Sequence, residues 1–261
     1  MIKSFSLAGS GNVATHVGKA LTSAGYEGKV VHSGKYNNAV KLADELKCGV
    51  ADSAESLAES EADLLIIALP DVKIPSFIKK ISHTSSLVVH TSGTTSIDVL
   101  ADTFDEYGVF YPLQTFSKNA ALDFNEIPLC IEGSSTTTVS RLKEVANRLS
   151  STVREIDSDQ RAYLHLAAVF VNNFTNHLLA EAENLCQENE VDFKLLEPLA
   201  RETVRKAFLY GGYESQTGPA RRGDSVILDR HYEMLENNPV LQELYNKIAA
   251  SILKKYHGNF E

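Results

Sequence analysis

The stretch LAGSGNVATHVG, residues 7–18, decides how the chain begins to fold. An apolar run, Ile2–Ala8, leads into it and reads as a β-strand. Val13–Ala24 leaves it with a helical period and stops at Gly25. Between them stands Gly9-x-Gly11-x-x-Ala14. Gly9 permits a tight turn, Gly11 has no Cβ to hold the backbone away from a pyrophosphate, and Ala14 is small enough for helix and strand to lie close. The first helical turn has N–H groups with no intrahelical acceptor, and its dipole favours an anion. Gly9, Ser10, Gly11, Asn12 and Val13 are therefore the expected phosphate-binding residues. The alternative is a glycine turn without a ligand.

The cofactor type depends on the end of the second strand. A site that prefers NAD carries Asp or Glu there to bind the ribose hydroxyls. This chain has VVHSGKY, residues 30–36. His32 and Ser33 occupy the acid's place and Lys35 follows. A hydroxyl and a cation suit a 2′-phosphate that a carboxylate would repel, so NADP(H) is expected, with Ser33 and Lys35 as its ligands. An ordinary solvated turn is the other reading. The apolar run DLLIIA, residues 63–68, suits a strand buried on both faces of a parallel sheet. It ends in ALPD, which places Leu69 and Pro70 at the sheet's carboxyl edge, where open α/β sheets bind ligands.

Strands and helices go on alternating to about residue 157. Further strands are expected at Lys29–His32, Gly49–Ala51, Leu87–His90, Val109–Tyr111, Leu129–Glu132 and Thr152–Ile156. Helices are expected at Asn38–Leu46, Val72–Ile81, Ser96–Phe104 and Val139–Leu149. Beyond that point only helical patterns occur, at Gln160–Asn189, Phe193–Tyr210 and Pro239–Tyr256. The fold class is α/β: a Rossmann domain with a mostly parallel sheet over residues 1–157, then an all-α domain over 158–261. The chain's 261 residues carry a net charge of −9, without a basic run, which disfavours nucleic acid as a partner. No apolar run reaches the roughly 18 residues of a membrane helix, and no secretory signal precedes the first strand. Cys48, Cys130 and Cys186 are widely spaced and read as reduced thiols, with no metal site. A cytoplasmic protein is expected. The short, apolar helical half suggests a homodimer through that domain.

Candidate chemistry lies at later strand ends. LVVH runs into TSG, so His90, Thr91, Ser92 and Gly93 sit where a nicotinamide would project, with Thr91 toward the cofactor and Ser92 toward a substrate oxygen. A turn closed by the helix cap Ser96, with Asp98 in the first turn, is compatible with that role. YPLQTFS, Tyr111–Ser117, is expected to form a wall of the same crevice. On the long helix His165 and Asn172 are seven residues apart and share a face, with Asn176 one turn on and Asn173 beside it. His165 is the expected proton donor, since an imidazole titrates near neutrality, and Asn172 would orient the substrate. The other reading of His165 is a satisfied core histidine. In TGPARRGD, residues 217–224, Arg221 or Arg222 can clamp a carboxylate or phosphate, or Arg222 can simply pair with Asp224. His231 has no assigned role.

GSGNVA, HTSG, YPLQTFS, HLAAVFVNNF (His165–Phe174) and TGPARRGD together resemble the bacterial Rossmann-like proteins with a C-terminal DUF2520 domain, regarded as NADP oxidoreductases. That family usually has HPLQTFS, so Tyr111 stands in place of a His, and residue 111 is not expected to be an essential acid or base. More distantly the layout is similar to pyrroline-5-carboxylate reductase, the F420-dependent NADP reductases and the β-hydroxyacid dehydrogenases. The last carry a catalytic Lys near the start of their first helical-domain helix. Here His165 replaces it, so hydroxyacid chemistry does not transfer. The resemblance implies an NADP(H)-dependent oxidoreductase acting on a small C=O or C=N substrate. The rivals are a non-catalytic NADP(H)-binding sensor or assembly protein, and F420-linked reduction of NADP.

Overall fold

The structure, a computed structural model, describes residues 1–81, 83–117 and 122–258. Eight strands form one sheet: β1 Ser4–Ala8, β2 Glu27–His32, β3 Gly49–Val50, β4 Leu64–Ile67, β5 Leu87–His90, β6 Tyr107–Pro112, β7 Leu129–Gly133 and β8 Val153–Glu155. Their order is β3-β2-β1-β4-β5-β6-β7-β8. All neighbours are parallel except β6 and β7. Strand order reverses between β1 and β4, which is the Rossmann arrangement with its switch point beside the glycine turn.

The inner strands form because they are buried on both faces. Every residue of β1, β4 and β5 is buried. Leu7, Leu64, Ile66, Leu87, Val89 and Phe110 belong to one apolar layer, covered by α1 (Asn12–Ser23), α2 (Tyr36–Leu46) and, after the short α3 and α4, α5 (Thr136–Leu149). Leu65, Ile67 and Val88 point to the other layer, covered by α3 (Ala54–Ala58), α4 (Ile74–Ile78), Leu100 and Phe104.

Some helices differ from expectation. Ser96–Phe104 contains only a tight turn, Ile97–Leu100, capped by the Ser96 hydroxyl on Asp98 N–H. The stretch after Pro70 is a tight turn, Asp71–Lys73, followed by α4, which has Pro75 in its first turn. Gln160–Asn189 is α6 (Ser158–Ala168), a wide π-helical turn (Val169–Phe174) and α7 (Thr175–Glu188).

The described chain divides into two compact units, Met1–Asn173 and Phe174–Glu261. The change in sequence texture at residue 157 is therefore not where the compact units part. The reason is α6, which is fastened to the sheet. Ser158 hydrogen-bonds Glu132 on β7 and accepts from Ile97 N–H, and the buried Arg161 bridges Glu132 and the Thr95 carbonyl. The second unit holds α7, α8 (Glu197–Tyr210), α9 (Pro219–Arg222), α10 (Ser225–Met234) and α11 (Pro239–His257). Of its described residues only Ala220 is fully buried, and Leu178, Leu199, Phe208, Tyr213, Val226 and Met234 are exposed. No helix among the described residues is long and apolar enough to cross a membrane.

Candidate functional site

The glycine turn has the shape the sequence predicts. Gly9 has φ +121°, donates its N–H to the His32 carbonyl at 2.7 Å, and a Cβ there would sit 2.2 Å from the Ala68 oxygen. Gly9 therefore locks β1 between the ends of β2 and β4. Gly11 caps α1 in an extended conformation, and a Cβ on it would meet nothing within 4 Å. The first turn of α1 has neither a side-chain cap nor an acid. This leaves an open cradle with unsatisfied N–H donors at the sheet's switch point, which fits a pyrophosphate. Val13 packs its side chain into the core, so only its backbone is available. Asn12 donates from Nδ2 to the Phe116 carbonyl at 2.6 Å, and His16 Nε2 meets the Ser117 carbonyl at 2.9 Å, which binds the end of YPLQTFS to α1.

Ser10 and Ser33 are joined hydroxyl to hydroxyl at 2.8 Å, so the phosphate turn and the end of β2 support each other. Lys35 is exposed and precedes α2 as its cap. Leu69 is half-buried and Pro70 exposed just past β4. Asp71 accepts a hydrogen bond from the Thr94 hydroxyl, linking the ends of β4 and β5.

Thr91, Ser92 and Gly93 are buried at the end of β5. Ser92 Oγ accepts from the N–H groups of Thr94 (3.1 Å) and Thr95 (2.9 Å), which closes the turn and leaves the hydroxyl proton for another acceptor. His90 is fully buried and its Nδ1 accepts from Ser92 N–H at 3.2 Å. Burial, and then the Arg161 charge, push its pKa down to about 4, against weaker opposition from the Ser96 backbone and Asp71. His90 is thus a neutral strut and not an acid. In the unfolded chain an imidazole titrates near 6.5. Between about 6.5 and 4 the unfolded state binds more protons than the native state, so stability is complete above that range and falls as pH drops through it. At about 1.4 kcal/mol per unit the expected loss is of order 3 kcal/mol. Denaturant midpoints of wild type and His90→Asn over this range check it: the Asn variant keeps an acceptor and should lack most of this slope.

Above the turn lies α6. It starts with a capping box between Asp157 and Gln160. One residue on, Arg161 is 1% exposed and pairs with Glu132, with further bonds to the Thr95 carbonyl and Ser158 Oγ. One turn later His165 is half-buried, its Nδ1 3.1 Å from the Tyr111 hydroxyl. A Cβ on Gly93 would lie 2.6 Å from His165 Nδ1 and 3.0 Å from Tyr111 Cζ. Gly93 is needed for space. The structure thus brings His165, Tyr111 and Gly93 together, with Ser92 next to Gly93 in the chain. Asn172 is half-buried on the π-helical turn, in the recurrence Arg161, His165, Val169, Asn172, while Asn173 is exposed and Asn176 falls in the second unit. Among the described residues no group of His, Cys, Asp or Glu is placed to hold a metal.

Within the second unit TGPARRGD is structural in its visible contacts. It contains α9, Arg221 stacks on Tyr256 at 4.0 Å, and Arg222 lies 3.9 Å from Asp224. His231 hydrogen-bonds Tyr245 at 3.0 Å.

Arg161 and Glu132 are the residues that sequence reading missed. The sequence shows Arg161 four residues before His165 on one helical face, but nothing local in it points to Glu132 as the partner.

Two family patterns cover most of the chain. Residues 5–94 match the family described as NADP oxidoreductase, coenzyme F420-dependent, and residues 127–252 match the domain of unknown function DUF2520. No curated protein matches. A Bacteroides fragilis protein, solved as a candidate NADP oxidoreductase, is 38% identical over 97% of this chain and 98% of its own, with a TM-score of 0.89. The chain belongs to this family of DUF2520-bearing NADP oxidoreductases. Members are NAD(P)-dependent oxidoreductases, and NADP(H) is the cofactor the family supports here. An imine reductase from Myxococcus stipitatus in complex with NADP+ (17% identity, 98% and 96% coverage, TM-score 0.68) has the same fold. So does a 1-pyrroline-5-carboxylate reductase from Streptococcus pyogenes (14%, 96% and 98%, 0.65).

Proposed function

We propose that this oxidoreductase moves hydride between NADP(H) and a small substrate with a C=O or C=N bond, held over the carboxyl ends of β4 and β5 beneath α6. The observation that carries this reading is the seating of His165 against Gly93 and Tyr111, on the same edge of the sheet as the open cradle at Gly11. When bound, NADPH supplies the hydride. The chain supplies the rest. Gly9, Ser10, Gly11, Asn12 and Val13 would hold the pyrophosphate, Ser33 and Lys35 the 2′-phosphate, and Leu69, Pro70 and Thr91 the ribose and nicotinamide side. His165 gives or takes the proton at the substrate heteroatom, Ser92 offers its remaining hydroxyl proton, and Asn172 orients the substrate.

The exposed apolar helices of the second unit support a homodimer, with a second copy covering Leu199, Phe208 and their neighbours. We place the protein in the cytoplasm.

The test pairs binding with turnover. NADPH and NADH affinities are measured by titration, and NADPH oxidation is followed against a panel of cyclic imines and small aldehydes and ketones. His165→Ala is expected to lower turnover by about 10²- to 10⁴-fold, the usual worth of a positioned acid or base, with NADPH affinity unchanged. Full turnover in the variant would remove His165 from the chemistry. Tight NADPH binding without turnover of any substrate would favour the non-catalytic sensor.

A further inference from the structure

We propose that Tyr111 is a positioning residue that holds His165 in the tautomer with its proton on Nε2, by donating its own hydroxyl proton to Nδ1.

Three observations converge on this. Tyr111 Oη lies 3.1 Å from His165 Nδ1, within hydrogen-bond reach. Tyr111 sits on β6 opposite Cys130 of β7, and α6 brings His165 over it. Gly93 leaves the space the two rings share, because any Cβ there would press on His165 Nδ1 and the Tyr111 ring together. The contact is therefore built from three separate elements: β6, α6 and the turn after β5.

Tyr111 has the proton this direction needs, whereas a proton on Nδ1 would make the phenol oxygen the acceptor instead. Burial pushes its pKa up to about 12, with the nearby Cys130 adding to the shift and Arg161 opposing it. The hydroxyl keeps its proton throughout the working range, and a neutral imidazole offers one acceptor nitrogen and one N–H. When Nδ1 accepts, the proton must be on Nε2. Tyr111 need not gain or lose a proton in any step, so a residue that is neither acid nor base still determines which nitrogen of His165 carries one. The consequence for proton delivery rests on the proposed reductase reading. The tautomer itself does not.

The experiment is ¹⁵N NMR of the histidine-labelled full-length protein at about pH 8.5, two units above the reference imidazole value. His165 is assigned by the signal missing in His165→Gln. Wild type is expected to show a protonated Nε2 and an unprotonated, hydrogen-bonded Nδ1. Tyr111→Phe should lower the ratio of the two tautomers by about fivefold, the equivalent of about 1 kcal/mol for one neutral hydrogen bond. A wild-type spectrum with the proton on Nδ1 overturns the proposal, as does a ratio unchanged in Tyr111→Phe. Should that variant fail to fold, the wild-type tautomer decides alone. Absence of reductase activity would leave the spectrum as it is, so failure of the functional reading and failure of this one are told apart.

Discussion

Gly9→Ala is expected to cost about 2–6 kcal/mol of stability and to abolish NADPH binding. Two costs add. The residue has φ +121°, where an L side chain is strained by about 1–3 kcal/mol. The new Cβ would also lie 2.2 Å from the Ala68 carbonyl oxygen, which is backbone at the end of β4 and cannot rotate aside. Forcing β1 and β4 apart adds an overpacking cost of about 1–3 kcal/mol. Against a typical 5–15 kcal/mol total this is a large fraction. Gly11→Ala is the contrast. Its φ is −78° and its Cβ would point into open space, so the folded chain should be nearly as stable as wild type. That space is the proposed phosphate cradle, so NADPH affinity should still fall by tenfold or more, about 1.4 kcal/mol. Denaturant midpoints and NADPH titrations of both variants separate the roles: one glycine holds the fold, the other admits the ligand. Equal stability losses in both would refute this division.

The parts of the fold legible in sequence were those written in local pattern. Short apolar runs such as Leu64–Ile67 and Leu87–Val89, bounded by turn residues, suit strands buried on two faces, and all eight expected strands are present within a few residues of their expected limits. Glycine chemistry placed the cradle. What local pattern did not carry was contact between distant segments. The seven-residue spacing of His165 and Asn172 speaks of one helix, but the partner of His165 is Tyr111, a residue 54 positions away on β6. Arg161 looks like a solvated charge on a helix, and only the sheet reveals that Glu132 removes it from water. The texture change at residue 157 marks where strands end, whereas compact units part where packing ends, and Arg161 fastens α6 to the sheet beyond that point. In TGPARRGD the sequence leaves a ligand clamp and an Arg222–Asp224 pair both open, and in the fold Arg221 stacks on Tyr256 while Arg222 lies 3.9 Å from Asp224. The short helices α9 and α10 follow two positive-φ glycines, Gly218 and Gly223, whose turns hid the helical period.

Glu132→Leu should be the other severe change, costing about 3–5 kcal/mol. Arg161 is 1% exposed and Glu132 15%, so the pair is held out of water. Its net worth relative to a pair of apolar residues is small, because desolvating two ions offsets most of their attraction. Removing one partner is different, since it strands a guanidinium whose Nε already has no hydrogen-bond partner among the described residues. Glu132 also accepts from Ser158 N–H at 3.1 Å, so the substitution strips an acidic partner from the first turn of α6. The double variant Arg161→Met with Glu132→Leu should then recover most of the loss, to within about 1–2 kcal/mol of wild type. A thermodynamic cycle from urea unfolding reads the coupling, and a loss below about 1 kcal/mol in the single variant would show that the charge finds water after all. The same series bears on the site. Arg161 and Glu132 fasten the first turn of the helix that carries His165, one turn further along. If His165 is the proton donor, the double variant should regain stability without regaining full turnover, because apolar packing restores the burial of α6 but not the hydrogen bonds to Thr95 and Ser158 that fix its position over Gly93.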